Sequence, residues 1–162
     1  MIALGIDPGL ARVGYAAIEG NGQQYRLLDF GIIETPAHTH AWDRLAEIER
    51  DLTSIIEKYQ PTIAGIEKLF FAQNTTTAMD VAQARGVILN TMGKAGIQIS
   101  EFTPLEVKNT MVGYGKATKS QVEYIVCQRL GLTASSKYDD ATDALAIALF
   151  ALDMSSSPLR GK

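Results

Sequence analysis

Three acidic segments lie far apart in the chain: Leu4-Gly5-Ile6-Asp7-Pro8-Gly9, Ile63-Ala64-Gly65-Ile66-Glu67, and Asp139-Asp140-Ala141-Thr142-Asp143-Ala144-Leu145-Ala146. Asp7 and Glu67 each close an apolar run that reads as a β-strand. Asp140 and Asp143 stand three apart at the head of an apolar helix, so they share one helix face. Carboxylates gathered in one place repel one another, and some must then stay protonated. A divalent cation removes that conflict, because hard cations prefer oxygen ligands. Such a site, built at strand ends, suits metal-assisted hydrolysis of a phosphodiester. Singly, each acid has an ordinary reading: Asp7 as a turn former, Glu67 as a solvated strand end, Asp140 and Asp143 as first-turn acids that favour the helix dipole. Their combination carries the metal-site reading.

The elements that must position these acids follow from periodicity and turn chemistry. Strands are expected at 2–7, 13–19 and roughly 24–34, the last two joined through Gly20-Asn21-Gly22, a hairpin signal. Asp7-Pro8-Gly9 fits a tight turn with glycine at positive φ. An amphipathic helix is expected at 41–59, with Trp42, Leu45, Ile48, Leu52, Ile55, Ile56 and Tyr59 on one stripe. The strand at 62–67 follows a helical crossover, so it should run parallel to the first. Asp7 and Glu67 then emerge at carboxyl ends of adjacent parallel strands, where sites in α/β sheets collect. A second helix is expected at 76–94 and a fifth strand at 97–102. Two capping boxes, Thr103-Pro104-Leu105-Glu106 and Thr118-Lys119-Ser120-Gln121, start helices at 104 and 119. An exposed glycine-rich loop, 113–117, separates them. A last helix spans 139–153, and the single domain ends at 154, with 155–162 a frayed tail.

Composition bounds the function classes. The 162 residues are 46% hydrophobic and 20% charged, which reads as one globular domain. A formal net charge of −3 argues against non-specific coating of nucleic acid, though not against a local basic groove. Lys108, Lys116 and Lys119 supply such a groove, and lysines beside helix N-termini hold phosphate backbones. Phe70 and Phe71 are adjacent and point opposite ways along an extended segment; one fits a core, the other could stack on a base or wedge between bases. Cys127 has no cysteine partner and reads as a buried thiol. His38 and His40 read as solvated loop residues. Gly113 to Ser120 falls short of a P-loop, since Thr118 stands where glycine is needed. The N-terminus lacks a signal peptide's basic region, and the run Ala144 to Leu152 is too short to cross a bilayer, so a cytoplasmic location with no membrane contact is expected.

Leu-Gly-Ile-Asp-Pro-Gly at the start, Ile66-Glu67 before Phe70-Phe71, Gln83-Ala84-Arg85-Gly86, and Asp-Ala-Thr-Asp-Ala-Leu-Ala-Ile-Ala near the end occur in that order. In this combination the chain resembles the RuvC family of bacterial Holliday-junction resolvases, from residue 2 to about 150. The resemblance implies an RNase H-like α/β fold: a five-stranded mixed sheet, three antiparallel strands then two parallel, with helices on both faces. It implies Mg²⁺-dependent paired nicking of four-way junction DNA by a homodimer, working with a RuvA/RuvB-type branch-migration complex. Asp7, Glu67, Asp140 and Asp143 would be the catalytic acids, holding a pair of Mg²⁺ ions for which Mn²⁺ can substitute. Asp139 is an alternative to Asp140 on sequence alone. Phe70, Lys108 and Lys119 match DNA-contacting positions, with Lys116 beside them. Ala78, Ala82 and Gly86 recur every four residues on the second helix; packing against the chain's own sheet is the ordinary reading, and the resemblance points to a dimer interface at Ala82 and Gly86. Two other readings stay open: an RNase H-like nuclease acting on structured RNA, and an actin-like phosphotransferase.

Overall fold

Side chains of a strand alternate between its two faces, and this alternation sorts the chain into layers around one sheet. The computed structural model describes residues 1–68, 75–133 and 141–156, with 75–77 as backbone only. Its elements are β1 (Ile2–Asp7), β2 (Arg12–Gly20), β3 (Tyr25–Glu34), α1 (Ala41–Tyr59), β4 (Ile63–Glu67), α2 (Thr75–Lys94), β5 (Gln98–Phe102), α3 (Pro104–Val112), α4 (Lys119–Leu130) and α5 (Thr142–Ser156). The sheet order is β3-β2-β1-β4-β5. β1, β2 and β3 form an antiparallel meander, while β4 and β5 continue parallel to β1. This is the expected mixed sheet.

Leu4, Ile6, Ala64 and Ile66 face the layer made by α1 and α2, where Ile48, Leu52, Ile56, Ala84, Ile88 and Met92 are buried. Ala3 and Ile63 face the other way, onto α3, α4 and α5. Gly5 and Gly65 share that second face by parity and are paired across the β1–β4 ladder. There α5 rests on the sheet. A Cβ at Gly5 would overlap the Ala144 carbonyl oxygen and lie 2.5 Å from Ala148 N; one at Gly65 would lie 2.7 Å from Ile147 Cγ2. Two adjacent glycines thus let the helix backbone approach the sheet closely. The helix has no polar side to turn outward over Ala144–Leu152, which is buried throughout. Because the obstruction at Gly5 is backbone, it cannot relax by a rotamer change. Gly5→Ala should destabilise the fold by about 2–3 kcal/mol, read as a lower denaturation midpoint at unchanged slope.

Local chemistry places the remaining elements. Both capping boxes form: Thr103 and Thr118 accept from the backbone of Glu106 and Gln121, whose side chains accept in return from the two threonine backbones. Gln60, in the left-handed region at φ 50°, closes α1. Gly22, at φ 89°, carries the hairpin between β2 and β3, where Asn21 Oδ1 accepts from Gln23 and Gln24 backbone N–H groups.

Three expectations are corrected. Trp42 is not part of the buried stripe: it is 66% exposed and stacks on His40. Gly9 is not at positive φ; it is needed because a Cβ there would overlap the Arg12 carbonyl oxygen. α5 begins at Thr142 and continues through Ser156, where the Ser155 and Ser156 hydroxyls bond back to the Leu152 carbonyl. Phe70, Phe71, Asp139, Asp140 and the tail from 157 lie outside the described residues.

Candidate active site

Parity assigns Asp7 and Glu67 to the α5 face, since each stands two residues beyond one of the paired glycines. The β1–β4 register ends at Ile6–Ile66, so the two acids follow it side by side at the carboxyl ends of neighbouring parallel strands. Asp143 lies in the first turn of α5. The close seat of that helix on Gly5 and Gly65 brings its N-terminus to the same end of the sheet. The three acids are near enough to feel one another. Asp7 is raised from 3.8 to about 6, chiefly by burial and then by the Asp143 charge, with Lys119 opposing. Glu67 is raised from 4.5 to about 7, chiefly by burial, then by Asp7 and Asp143, with Lys108 opposing.

Beside them opens a cleft of about 300 Å³, lined by Glu67, Asp143, Lys108 and Lys119 over an apolar floor that includes Val107 and Ile147. Lys119 Nζ stands 3.7 Å from Asp143 Oδ2. α3, α4 and α5 all start at this cleft, through Pro104, Lys119 and Asp143. Their positive dipole ends favour an anion there. Among the described residues, no three acidic, histidine or cysteine side chains stand close enough together to form a complete metal cluster. The chemistry of the donor set nevertheless fits a hard cation. It offers only oxygen ligands, and two of its carboxylates are held partly protonated by burial and mutual repulsion, a cost that positive charge reverses.

The structure therefore gathers Asp7, Glu67, Asp143, Lys108 and Lys119 at one place. Lys116 is not among the residues lining the cleft; it is exposed on the connection between α3 and α4. On α2, the layer-facing residues are Ala84, Ile88 and Met92. Ala82 is partly exposed and Gly86 exposed, with nothing within 4 Å of a Cβ at Gly86. The small-residue stripe is thus not spent on the chain's own sheet at Gly86.

One participant was not foreseen. Arg85 donates from Nε to the main-chain carbonyl of Glu67 at 3.2 Å and pairs with Glu101 on β5. No local signal marks an arginine in mid-helix for this, because the partners come from two other elements. The glycine seat did have a signal: in both strands a glycine stands two residues before the acid.

A mixed sheet with acids ending adjacent parallel strands, and a further acid delivered by a helix packed across them, defines an RNase H-like α/β nuclease fold. A family model described as crossover junction endodeoxyribonuclease RuvC matches residues 3–151. The crossover junction endodeoxyribonuclease RuvC of Halothermothrix orenii is 50% identical over 149 residues, 92% of this chain and 90% of that protein. Its counterpart from Heliobacterium modesticaldum is 48% identical, covering 92% of each chain. Among solved structures, Thermus thermophilus RuvC in complex with a Holliday junction substrate superposes with a TM-score of 0.88 at 29% identity, over 96% of this chain and 97% of that one. The chain belongs to the RuvC family of crossover junction endodeoxyribonucleases. The yeast mitochondrial Holliday junction resolvase Ydc2 shares the fold at 14% identity and a TM-score of 0.63. Neither the RNA-directed nuclease nor the phosphotransferase reading is favoured by these relatives.

Proposed function

We propose that this chain resolves four-way DNA junctions in the cytoplasm as a homodimer, each protomer hydrolysing one phosphodiester, with Asp7, Glu67, Asp140 and Asp143 as the acids of its metal site. The convergence of Asp7, Glu67 and Asp143 beside two lysines is the observation that carries this reading. Family membership supports the substrate, and the one domain running from β1 through α5 carries the site. Mg²⁺, with Mn²⁺ as a substitute, suits the oxygen donors; bound as a pair, the ions would supply charge stabilisation of the reacting phosphate and activation of water.

The chain's own groups set up the reaction. Glu67, raised to about 7 in the metal-free chain, gives up its proton near neutral pH and is then free to hold a cation. Lys108 and Lys119 bring positive charge to the cleft, where the phosphate backbone would lie against three helix N-termini. Attack of water on phosphorus with loss of the 3′-oxygen leaves 5′-phosphate and 3′-hydroxyl ends, which a ligase can seal. Phe70 would act at the junction centre, and Lys116 would add an outer backbone contact. The outward face of α2 at Ala82 and Gly86 would meet a second protomer, whose two-fold symmetry matches that of the junction. A RuvA/RuvB-type motor would supply the moving junction.

A synthetic four-way junction, a linear duplex and an RNA hairpin, each with and without Mg²⁺, test the proposal. The junction alone should be cut, and only with metal; equal cutting of the hairpin would overturn it. Lys108→Ala and Lys119→Ala should slow cleavage. Removing a lysine that pairs with a phosphate should also flatten the salt dependence of junction binding by about one unit of slope.

A further inference from the structure

Arg85 lies on the face of the sheet opposite the acids, since α2 packs with Leu4, Ile6, Ala64 and Ile66. Its side chain is only 15% exposed. From there it reaches the main chain of the strand that carries Glu67. The β1–β4 ladder has ended one residue earlier, at Ile66. The peptide group between Glu67 and Lys68 is held from both ends: Lys68 N–H donates to the Phe102 carbonyl at 2.7 Å, and the Glu67 carbonyl accepts from Arg85 Nε at 3.2 Å. The other arm of the guanidinium is tied to Glu101 on β5. A rigid planar fork presents donors on separate nitrogens toward the two acceptors, whereas an ammonium offers its donors from a single nitrogen on a flexible stem. A peptide plane held at both ends fixes ψ of Glu67, and with it the direction in which the Glu67 side chain leaves the strand.

We propose that Arg85 is a positioning residue: anchored by Glu101, it clamps the Glu67–Lys68 peptide and so aims the Glu67 carboxylate into the cleft from the far side of the sheet. The proposal rests on the reading of Glu67 as a metal-holding acid. It explains why an arginine lies half under the sheet edge when its charge partner among the described residues, Glu101, is substantially exposed. The pair acts on the site through the backbone rather than by touching DNA.

The test compares wild type, Arg85→Ala, Arg85→Lys and Glu67→Gln. Arg85→Ala should lower single-turnover junction cleavage at saturating protein by ~10–100-fold and raise the Mg²⁺ concentration needed, as loss of a ligand-orienting group does. Junction affinity measured without metal should stay within about threefold, because every group that meets phosphate is still present. Amide exchange separates positioning from general bracing: Lys68 N–H should exchange at least ~10-fold faster in Arg85→Ala, while the amides of Ala64 and Ile66 keep their protection. Arg85→Lys, which keeps the charge but not the fork, should fold and show the same selective changes at smaller size. Wild-type cleavage and Lys68 exchange in either Arg85 variant would overturn the proposal. So would exchange that rises equally along all of β4. Glu67→Gln separates the two levels: if it is inactive while Arg85→Ala cuts at full rate, only the positioning role fails, and if it cuts at full rate the acid assignment fails as well.

Discussion

Asp7→Asn and Glu67→Gln should each cut junctions at least ~10²–10³-fold more slowly than wild type, yet fold more stably when no metal is present. Both results come from one cause. The folded chain raises the Asp7 carboxyl to about 6 and Glu67 to about 7, through burial and then through the neighbouring acids. The folded state therefore binds more protons than the unfolded state between about pH 4 and pH 7. Metal-free stability falls as pH rises through that window, and the loss is complete above it. An amide at either position removes the penalty. At pH 8 each variant should gain on the order of 1–2 kcal/mol over metal-free wild type, after discounting for the partial exposure of both groups. At about pH 3, below the unfolded values of 3.8 and 4.5, where both carboxyls are protonated folded and unfolded, the gain should vanish. Thermal melts in a chelator at the two pH values check this. Junction binding should survive in both variants or tighten slightly, since each loses a negative charge that faces phosphate.

Paired incision carries the second large effect. If each protomer holds one complete acidic site and cuts one strand, a dimer of wild type with Asp7→Asn can nick but cannot resolve. On a supercoiled plasmid bearing a cruciform, wild type should release linear product within one binding event, and the mixed dimer should stop at open circle. Linear product from mixed dimers at the wild-type rate would show that one site serves both strands. Gly86→Glu approaches the same point from the interface. The position is open in the protomer, with nothing within 4 Å of a Cβ, so the change should leave the monomer fold intact. Bulk and charge on that face should weaken self-association, measured by sedimentation, and paired incision should fall before junction recognition disappears.

Much of this was legible in the residues because the fold uses local rules. The apolar runs of β1 and β4 and the helical crossover at α1 read directly and bring Asp7 beside Glu67, and both capping boxes read directly as the starts of α3 and α4. The parts that did not read are those decided by packing between distant elements. Trp42 has the spacing of a core residue, but it sits in the first turn of α1, where it is left exposed to stack on His40. Gly9 looked like a turn glycine and instead makes room for the Arg12 carbonyl. Arg85 in isolation is a helical arginine; its two partners lie 18 and 16 residues away in sequence. Gly5 and Gly65 could have been read, because a glycine inside an apolar strand marks a close backbone approach. Two of them at the same offset from two acids mark where the third acid's helix must rest.

The central claim is that acids from β1, β4 and α5 make one cation site. Mn²⁺ titration followed by electron paramagnetic resonance, on wild type and on Asp7→Asn, Glu67→Gln and Asp143→Asn, tests it without any DNA. Each variant should bind Mn²⁺ at least ~10-fold more weakly than wild type, and wild-type affinity should fall as pH drops below about 7, because protons compete for the same oxygens. Mn²⁺ binding that is unchanged in all three variants would mean that these carboxylates, close as they are, do not form the metal site.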